Sequence, residues 1–409
     1  MQKTLLSLFV LYSLNAVACN NIKQDETNGQ QDSTLAPVES NKPNTDYKPA
    51  FEGQTRVAGV KTNTPYSAKI IAQGLKSPWG IVRLPDGRFL ITEKEGTMRI
   101  VSKEGTLSEP ITGLPEVDSR GQGGLLGLTL DPQFGENSMV YWVFSQPVDG
   151  GNLTAVAKGT LATNEKTIEN VQVIYQAGPA YDGKLHYGGR IIFDKNGHLF
   201  VSTGERSDLA TRPLAQDLKA GLGKILRITT EGKPVAGNPF INTAGALPEV
   251  YSYGHRNVQG LAFHPETDDL WETEFGPRGG DEVNIVAPGK NYGWPTITYG
   301  LEYSGKEIGN PPIQQQEGLE QPIYYWDPVL SPSGITFYTG SAIPEWKNNL
   351  FIAGLSSTHI ARLVIKDNKV IGEERLLAKE GQRFRDVIDG QDGALYSITD
   401  GGRLYRIGK

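Results

Sequence analysis

The chain has 409 residues, 38% hydrophobic and 21% charged, with a formal net charge of −6. That is enough apolar material for a large core, while the acidic balance and the lack of any long Lys/Arg run argue against a nucleic-acid partner. The 49 glycines and 25 prolines favour many tight turns over long helices.

In chain order, the first element is an export signal. Lys3 precedes the apolar run Leu5–Leu14, which leads into Ala16-Val17-Ala18-Cys19. A positive start, a short apolar stretch and small residues at a cleavage point make residues 1–18 a signal peptide, too short for a comfortable membrane span. Cys19 is the only cysteine, so the mature fold has no intramolecular disulfide. A lone Cys directly after small residues fits a bacterial lipobox, in which it is lipidated. Ordinary cleavage after Ala18 fits the same residues. Either reading exports the protein to the periplasm or cell surface, with membrane contact only through the lipid. Residues 19–64 are rich in Asn, Gln, Asp, Ser, Thr and Pro and are expected to form a disordered polar linker.

Over residues 65–409 one pattern recurs: a short apolar strand, a turn, and a second apolar strand. Clear copies are Ile81–Thr92, Ile191–Thr203 and Val387–Thr399, each turning on Asp-Gly or Asn-Gly, which supply the positive φ of tight hairpins. Weaker copies run from Leu128 to Phe144, Leu261 to Thr273 and Ile335 to Ala353. Six similar turns along the chain predict an all-β fold, a six-bladed β-propeller, since no single small sheet can bury both its faces. Propellers carry function on loops at one end of the channel.

The chemistry-bearing residues fall between these copies. The five histidines show no zincin spacing, one Cys precludes a thiolate metal site, and no GxSxG elbow is present. The Gly-x-Gly runs have no βαβ setting, so they are not dinucleotide fingerprints. His186, in Lys184-Leu-His-Tyr-Gly-Gly-Arg190, is a natural base near neutral pH. A His hydrogen-bonded to a neighbouring blade reads the same way. In Gly254-His-Arg-Asn257, Arg256 offers a planar fork to a carboxylate or an oxyanion, or makes an inter-blade ion pair. The loop Glu272–Glu282 combines carboxylates with turning backbone and suits a hard cation or plain solvation. Arg383 and Arg385 would face one side of a strand as an anion clamp, or simply face solvent.

Taken together, these motifs are specific. Gly121-Gln-Gly-Gly-Leu-Leu-Gly127, His186-Tyr-Gly-Gly-Arg190, Gly254-His-Arg-Asn257, Gly276-Pro-Arg-Gly-Gly-Asp-Glu-Val-Asn284, Asn291-Tyr-Gly-Trp-Pro295 and Arg383-Phe-Arg-Asp386 occur in one order. From about Tyr66 to the C-terminus the chain resembles the soluble glucose/sorbosone dehydrogenase family, most closely its aldose sugar dehydrogenase branch. The resemblance implies a six-bladed propeller using pyrroloquinoline quinone (PQQ) and Ca²⁺, acting on aldose sugars and handing electrons to an external acceptor, a cytochrome or quinone. It implies that His186 takes the proton of the anomeric hydroxyl while the C1 hydride passes to the quinone, giving a lactone. Arg256 would stabilise charge on the quinone oxygen. Cofactor contacts would come from Gln122, Arg256, Asn257, Tyr303, the stretch Gly354-Leu355-Ser356, and Arg383-Phe384-Arg385. The main-chain oxygens of Gly276 and Pro277 would hold the calcium that polarises the quinone carbonyl. Glu282 and the carbonyl of Tyr292 would hold a second calcium. The chain would be a monomer or homodimer.

Three positions depart from the family pattern. Ser356 stands where many relatives have a cofactor-contacting Lys, Leu185 where the soluble glucose enzymes have Asp, and Phe275 where relatives often have a polar residue. These departures leave open an alternative, a non-catalytic surface-anchored propeller that only binds. A calcium-dependent lactonase would need several inward carboxylate or amide ligands on one ion, where the sequence offers backbone carbonyls.

Overall fold

The computed structural model describes residues 35–409; the expected signal peptide and Cys19 lie outside them. β1 (Ser67–Gln73) comes first, followed by the three-stranded sheet β2 (Pro78–Arg83), β3 (Phe89–Glu93) and β4 (Thr97–Val101). Next come β5 (Leu125–Leu130), β6 (Met139–Val148), β7 (Gly151–Leu161) and β8 (Ile168–Tyr181). The third sheet holds β9 (Ile191–Phe193), β10 (Leu199–Ser202), β11 (Lys224–Ile228) and β12 (Val250–Tyr253). The fourth holds β13 (Val258–Phe263), β14 (Leu270–Glu274), β15 (Asp281–Val286) and β16 (Tyr324–Trp326), and the fifth β17 (Pro332–Phe337), β18 (Leu350–Gly354), β19 (Ile360–Lys366) and β20 (Lys369–Leu376). In the last sheet β21 (Phe384–Asp389), β22 (Leu395–Thr399) and β23 (Arg403–Gly408) are joined by β1, with Ala68 opposite Ile407. The N-terminal strand thus completes the C-terminal blade and closes a ring of six. The one α-helix among the described residues is a single turn, Phe134–Asn137.

All six predicted hairpins join the first and second strands of a blade. The clear copies place Gly87, Gly197 and Gly393 at positive φ just before the second strand. The weaker copies fill that place with Ser138, Asp268 and Asn348, also at positive φ. The left-handed residue before the second strand is shared, but the connections differ: β5–β6 carries the helical turn Phe134–Asn137 and β17–β18 the 3-10 turn Pro344–Trp346.

The first strands of the blades contact one another around the channel, and apolar faces of neighbouring sheets form the core. Trp271 of β14 meets Phe337 of β17 edge-on at 5.4 Å, within a cluster that also holds Ile335, Leu350 and Ile352. Across the channel Arg190 Nη1 donates to Asp386 Oδ2 at 2.6 Å, both side chains buried. That carboxylate also accepts the Ile81 N–H.

Residues 35–64 depart from the expected disorder. Residues 35–64 form a strap along the outer strands of the fourth and fifth blades. Gln54 is fully buried and donates to the Pro322 carbonyl. Val57 joins the core beside Trp326, and Gly59 bridges to Glu373 on β20. Thr62 and Thr64 donate to Glu374 and Glu345. The polar composition that reads as solvated chain serves instead to satisfy hydrogen bonds at exposed blade edges.

Candidate active site

The six hairpins lie at one end of the propeller. Antiparallel pairing puts the loops entering the first strands, and those joining second to third strands, at the other end. His186 sits between β8 and β9, Gln122 between β4 and β5, and Arg256 between β12 and β13. Phe275–Gly280 joins β14 to β15, Leu355 and Ser356 join β18 to β19, and Asp400 lies between β22 and β23.

His186 adopts φ +48°, the left-handed region, and so do Arg206 at +75° and Ser207 at +59°. Non-glycine residues there are uncommon and cluster at functional sites. The His186 N–H donates to Gln122 Oε1 at 2.9 Å, and Gln122 in turn donates its N–H to the Lys184 carbonyl. The ring Nδ1 lies 2.7 Å from Glu205 Oε1, and both side chains are buried. Nε2 has no partner among the described residues. Burial pushes the imidazole pKa down to about 4, with the Arg256 cation adding to the shift and the Glu205 hydrogen bond opposing it. The base candidate is therefore neutral at ordinary pH, with one nitrogen fixed and the other available.

Among the described residues Arg256 has no ion-pair partner for its guanidinium. Its Nη1 donates to the carbonyls of Phe275 (3.1 Å) and Gly276 (2.7 Å), the group lies 5.1 Å over the Trp294 ring, and Nε has no partner. Its carbonyl accepts the Glu205 N–H, which links it to the His186 pair. Asn257 is buried behind the site and accepts the Gly188 N–H at 2.9 Å.

Beside these groups opens a cavity of about 440 Å³, within the range of small-molecule sites. Gln122, Tyr303, Leu355, Ser356, Arg383 and Arg385 line it, together with Trp79, Lys94, Gln259, Phe275 and Asp400. Strand alternation divides the Arg-Phe-Arg stretch. Both arginines face the cavity, whereas Phe384 is fully buried and packs on Tyr405 in the core. The expectation that Phe384 contacts a cofactor is corrected accordingly. Gly354 ends β18 within the sheet and is not among the lining residues. A cavity of this size, walled by three cations against one carboxylate, by three aromatic side chains and by amide groups, fits a planar polycarboxylate such as PQQ.

The loop Glu272–Glu282 is not a solvated acidic loop. Glu272 and Glu274 stand buried on β14. Glu274, Gly276, Pro277, Glu282 and Tyr292, with the Arg256 cation and the apolar Trp294 and Ile297, line a space of about 10 Å³, room for one water-sized species. Burial, then repulsion from Glu274, raises the pKa of Glu272 and Glu282 well above the usual carboxylate range. Glu272 Oε2 has no partner. Glu272 and Glu274 also form with His255 a buried cluster whose ligand atoms lie within 4.8 Å of one another, so carboxylate oxygens and one imidazole nitrogen are the donors offered to a cation here. The nearby Asp281 is raised to about 6 by burial, although it accepts the N–H groups of Gly276, Leu330 and Ser331.

Sequence reading overlooked Glu205, Lys94, Trp79, Gln259 and Asp400. For Glu205 a signal existed. The β9–β10 hairpin returns the chain to the end where it began, so a residue just after Ser202 must lie near one just before Ile191.

The sequence model of the glucose/sorbosone dehydrogenase family matches residues 75–406. The aldose sugar dehydrogenase YliI of Escherichia coli is 39% identical over 345 residues, 83% of this chain and 92% of the relative. The quinoprotein glucose dehydrogenase B of Acinetobacter calcoaceticus is 26% identical over 413 residues, 82% of this chain and 85% of the relative. The PQQ-bound aldose sugar dehydrogenase of Streptomyces coelicolor superposes with a TM-score of 0.69 at 32% identity, covering 85% of this chain and 99% of that one.

Proposed function

Because the chain belongs to the glucose/sorbosone dehydrogenase family, we propose that it is a PQQ- and calcium-dependent aldose sugar dehydrogenase. It oxidises the sugar at C1 to the lactone and passes the electrons to an external acceptor other than NAD. The observation that carries this reading is the buried His186–Glu205 pair beside a cation-lined cavity. Gln122, Tyr303, Leu355, Ser356, Arg383 and Arg385 would hold the cofactor. The carbonyls of Gly276 and Pro277 would hold one calcium, and Glu282 with the Tyr292 carbonyl a second. The cofactor's ortho-quinone supplies acceptance of the C1 hydride, with calcium as a Lewis acid.

The chain's own residues do the rest. His186 Nε2 takes the hydroxyl proton, and burial keeps that nitrogen neutral and competent. Glu205 holds the opposite nitrogen, fixes the tautomer and stabilises the imidazolium that forms. Arg256 places a permanent cation at the Gly276 carbonyl, where it favours negative charge developing at that end of the cavity. Leu185 in place of an acidic residue leaves one polar contact fewer for a sugar and supports broad aldose selection. Export through residues 1–18 and lipid attachment at Cys19 belong to the same reading; a Cys19→Ser variant that remained membrane-bound would contradict the anchor.

The test is reconstitution of the mature protein with PQQ and Ca²⁺, followed by dye reduction with several aldoses. Activity in the wild type and its loss in His186→Ala are expected. Undiminished turnover in His186→Ala would remove the base role. Sugar binding without any PQQ binding would favour the non-catalytic propeller.

A further inference from the structure

Three cations line the cavity beside His186, Lys94, Arg383 and Arg385, against one carboxylate, Asp400. Asp400 is committed to the arginines. Its Oδ1 accepts from Arg385 Nε at 2.8 Å, and its Oδ2 accepts from Arg383 Nε at 2.8 Å and Arg385 Nη2 at 3.2 Å. The arginine pair therefore presents less than its formal charge to a ligand. Lys94 is differently placed. Among the described residues the lysines in ion pairs are Lys158, Lys195 and Lys290; the half-buried Lys94 has no carboxylate partner and its Nζ makes no hydrogen bond.

The backbone holds Lys94 firmly. Its N–H donates to the Ser77 carbonyl at 3.2 Å and its carbonyl accepts the Leu125 N–H at 2.9 Å. Its stem crosses Gly124, where an added Cβ would sit 2.6 Å from Lys94 Cγ and 2.2 Å from its carbonyl oxygen. With φ at +129°, Gly124 is also in a conformation that L side chains rarely adopt. The Gly-rich motif thus makes room for a fixed lysine at the cavity wall. A positioned cation without a counter-ion, facing a cavity, is complementary to an anionic ligand.

We propose that Lys94 is a cofactor-binding residue of this chain. Its ammonium takes a carboxylate of the bound quinone, charge that Arg383 and Arg385, shared with Asp400, leave unmatched. This rests on the functional reading above. The test is equilibrium binding of PQQ to the apo protein in the presence of Ca²⁺, followed by tryptophan fluorescence and needing no turnover. Lys94→Gln is expected to raise Kd about 10- to 100-fold, the worth of a charge-assisted hydrogen bond, and to flatten the dependence of Kd on salt. Lys94→Arg, which keeps the charge, is expected to bind within about three-fold of wild type. Unchanged thermal melting of both apo variants separates binding from folding. If the wild type binds and Lys94→Gln binds equally well, the assignment fails while the functional reading stands. If both variants weaken equally with the salt dependence unaltered, Lys94 is packing and the assignment fails. A wild type that does not bind PQQ overturns both.

Discussion

His186 Nδ1 and Glu205 Oε1 lie 2.7 Å apart in a buried setting, and the second carboxylate oxygen of Glu205 has no partner. A buried carboxylate with one bond to a histidine orients the ring and stabilises its protonated form. Glu205→Gln keeps the size and an acceptor but removes the charge. The expected result is a fall in kcat of about 10²- to 10⁴-fold with little change in melting temperature. Steady-state dye reduction with saturating aldose checks this, and a kcat within about two-fold of wild type would exclude Glu205 from the proton step.

The low pKa of His186 has a stability consequence with a definite sign. The folded value of about 4 lies below the ordinary 6.5, so the native state resists protonation while the unfolded chain accepts it. The contribution is complete above about pH 6.5 and is lost as pH falls toward 4, by about 3 kcal/mol in all. Urea midpoints of the wild type should fall across that window more steeply than those of His186→Gln. Parallel slopes would show that the histidine is hydrated and titrates normally.

Arg190 and Asp386 hold the third and sixth blades together across the channel. Arg190 also donates to the Gln259 carbonyl and lies 4.6 Å over the Trp79 ring. Asp386→Ala leaves this guanidinium buried without its counter-ion, a change that costs about 3–5 kcal/mol. Chemical denaturation is the measure. A loss below about 1 kcal/mol would mean that water reaches the channel and replaces the carboxylate.

The fold was legible in the sequence because the blade hairpins repeat a local signal. Asp-Gly and Asn-Gly turns announce themselves, and copies with Ser138, Asp268 or Asn348 at the same place remain recognisable from their strands. The site was legible where a motif carries it, as for His186, Arg256 and the arginine pair. Asp400 is a single charged residue whose meaning comes only from pairing across loops, and Lys94 one whose meaning comes from facing the cavity unpaired; no local pattern marks either, and Glu205 is reached only through the return of the β9–β10 hairpin. Phe384 was misassigned because membership of a motif was allowed to outweigh strand alternation, which sends it to the core. The strap was missed because composition reports how well a segment would be solvated and says nothing about the blade edges that await partners.

That strap reaches the site from the outside. Asn44 and Thr45 donate their N–H groups to Asp327, and the carbonyl of the preceding Trp326 accepts the Gly280 N–H at 2.8 Å. Arg278 Nε, in the same loop, donates to Asn44 Oδ1 at 3.2 Å. Arg56 locks the arrangement by donating to the carbonyls of Glu39, Asn41 and Asp327 at 3.0, 2.8 and 2.7 Å. The loop bearing the Gly276 and Pro277 carbonyls is thus braced by a segment outside the matched family region. Arg56→Ala should cost about 1–2 kcal/mol, since the lost bonds are charge-assisted but partly exposed. Amide exchange at Gly279 and Gly280 should quicken more than exchange at the distant Leu199–Ser202 strand. Uniform or unchanged exchange would show that the strap covers the blade edges without bracing the loop.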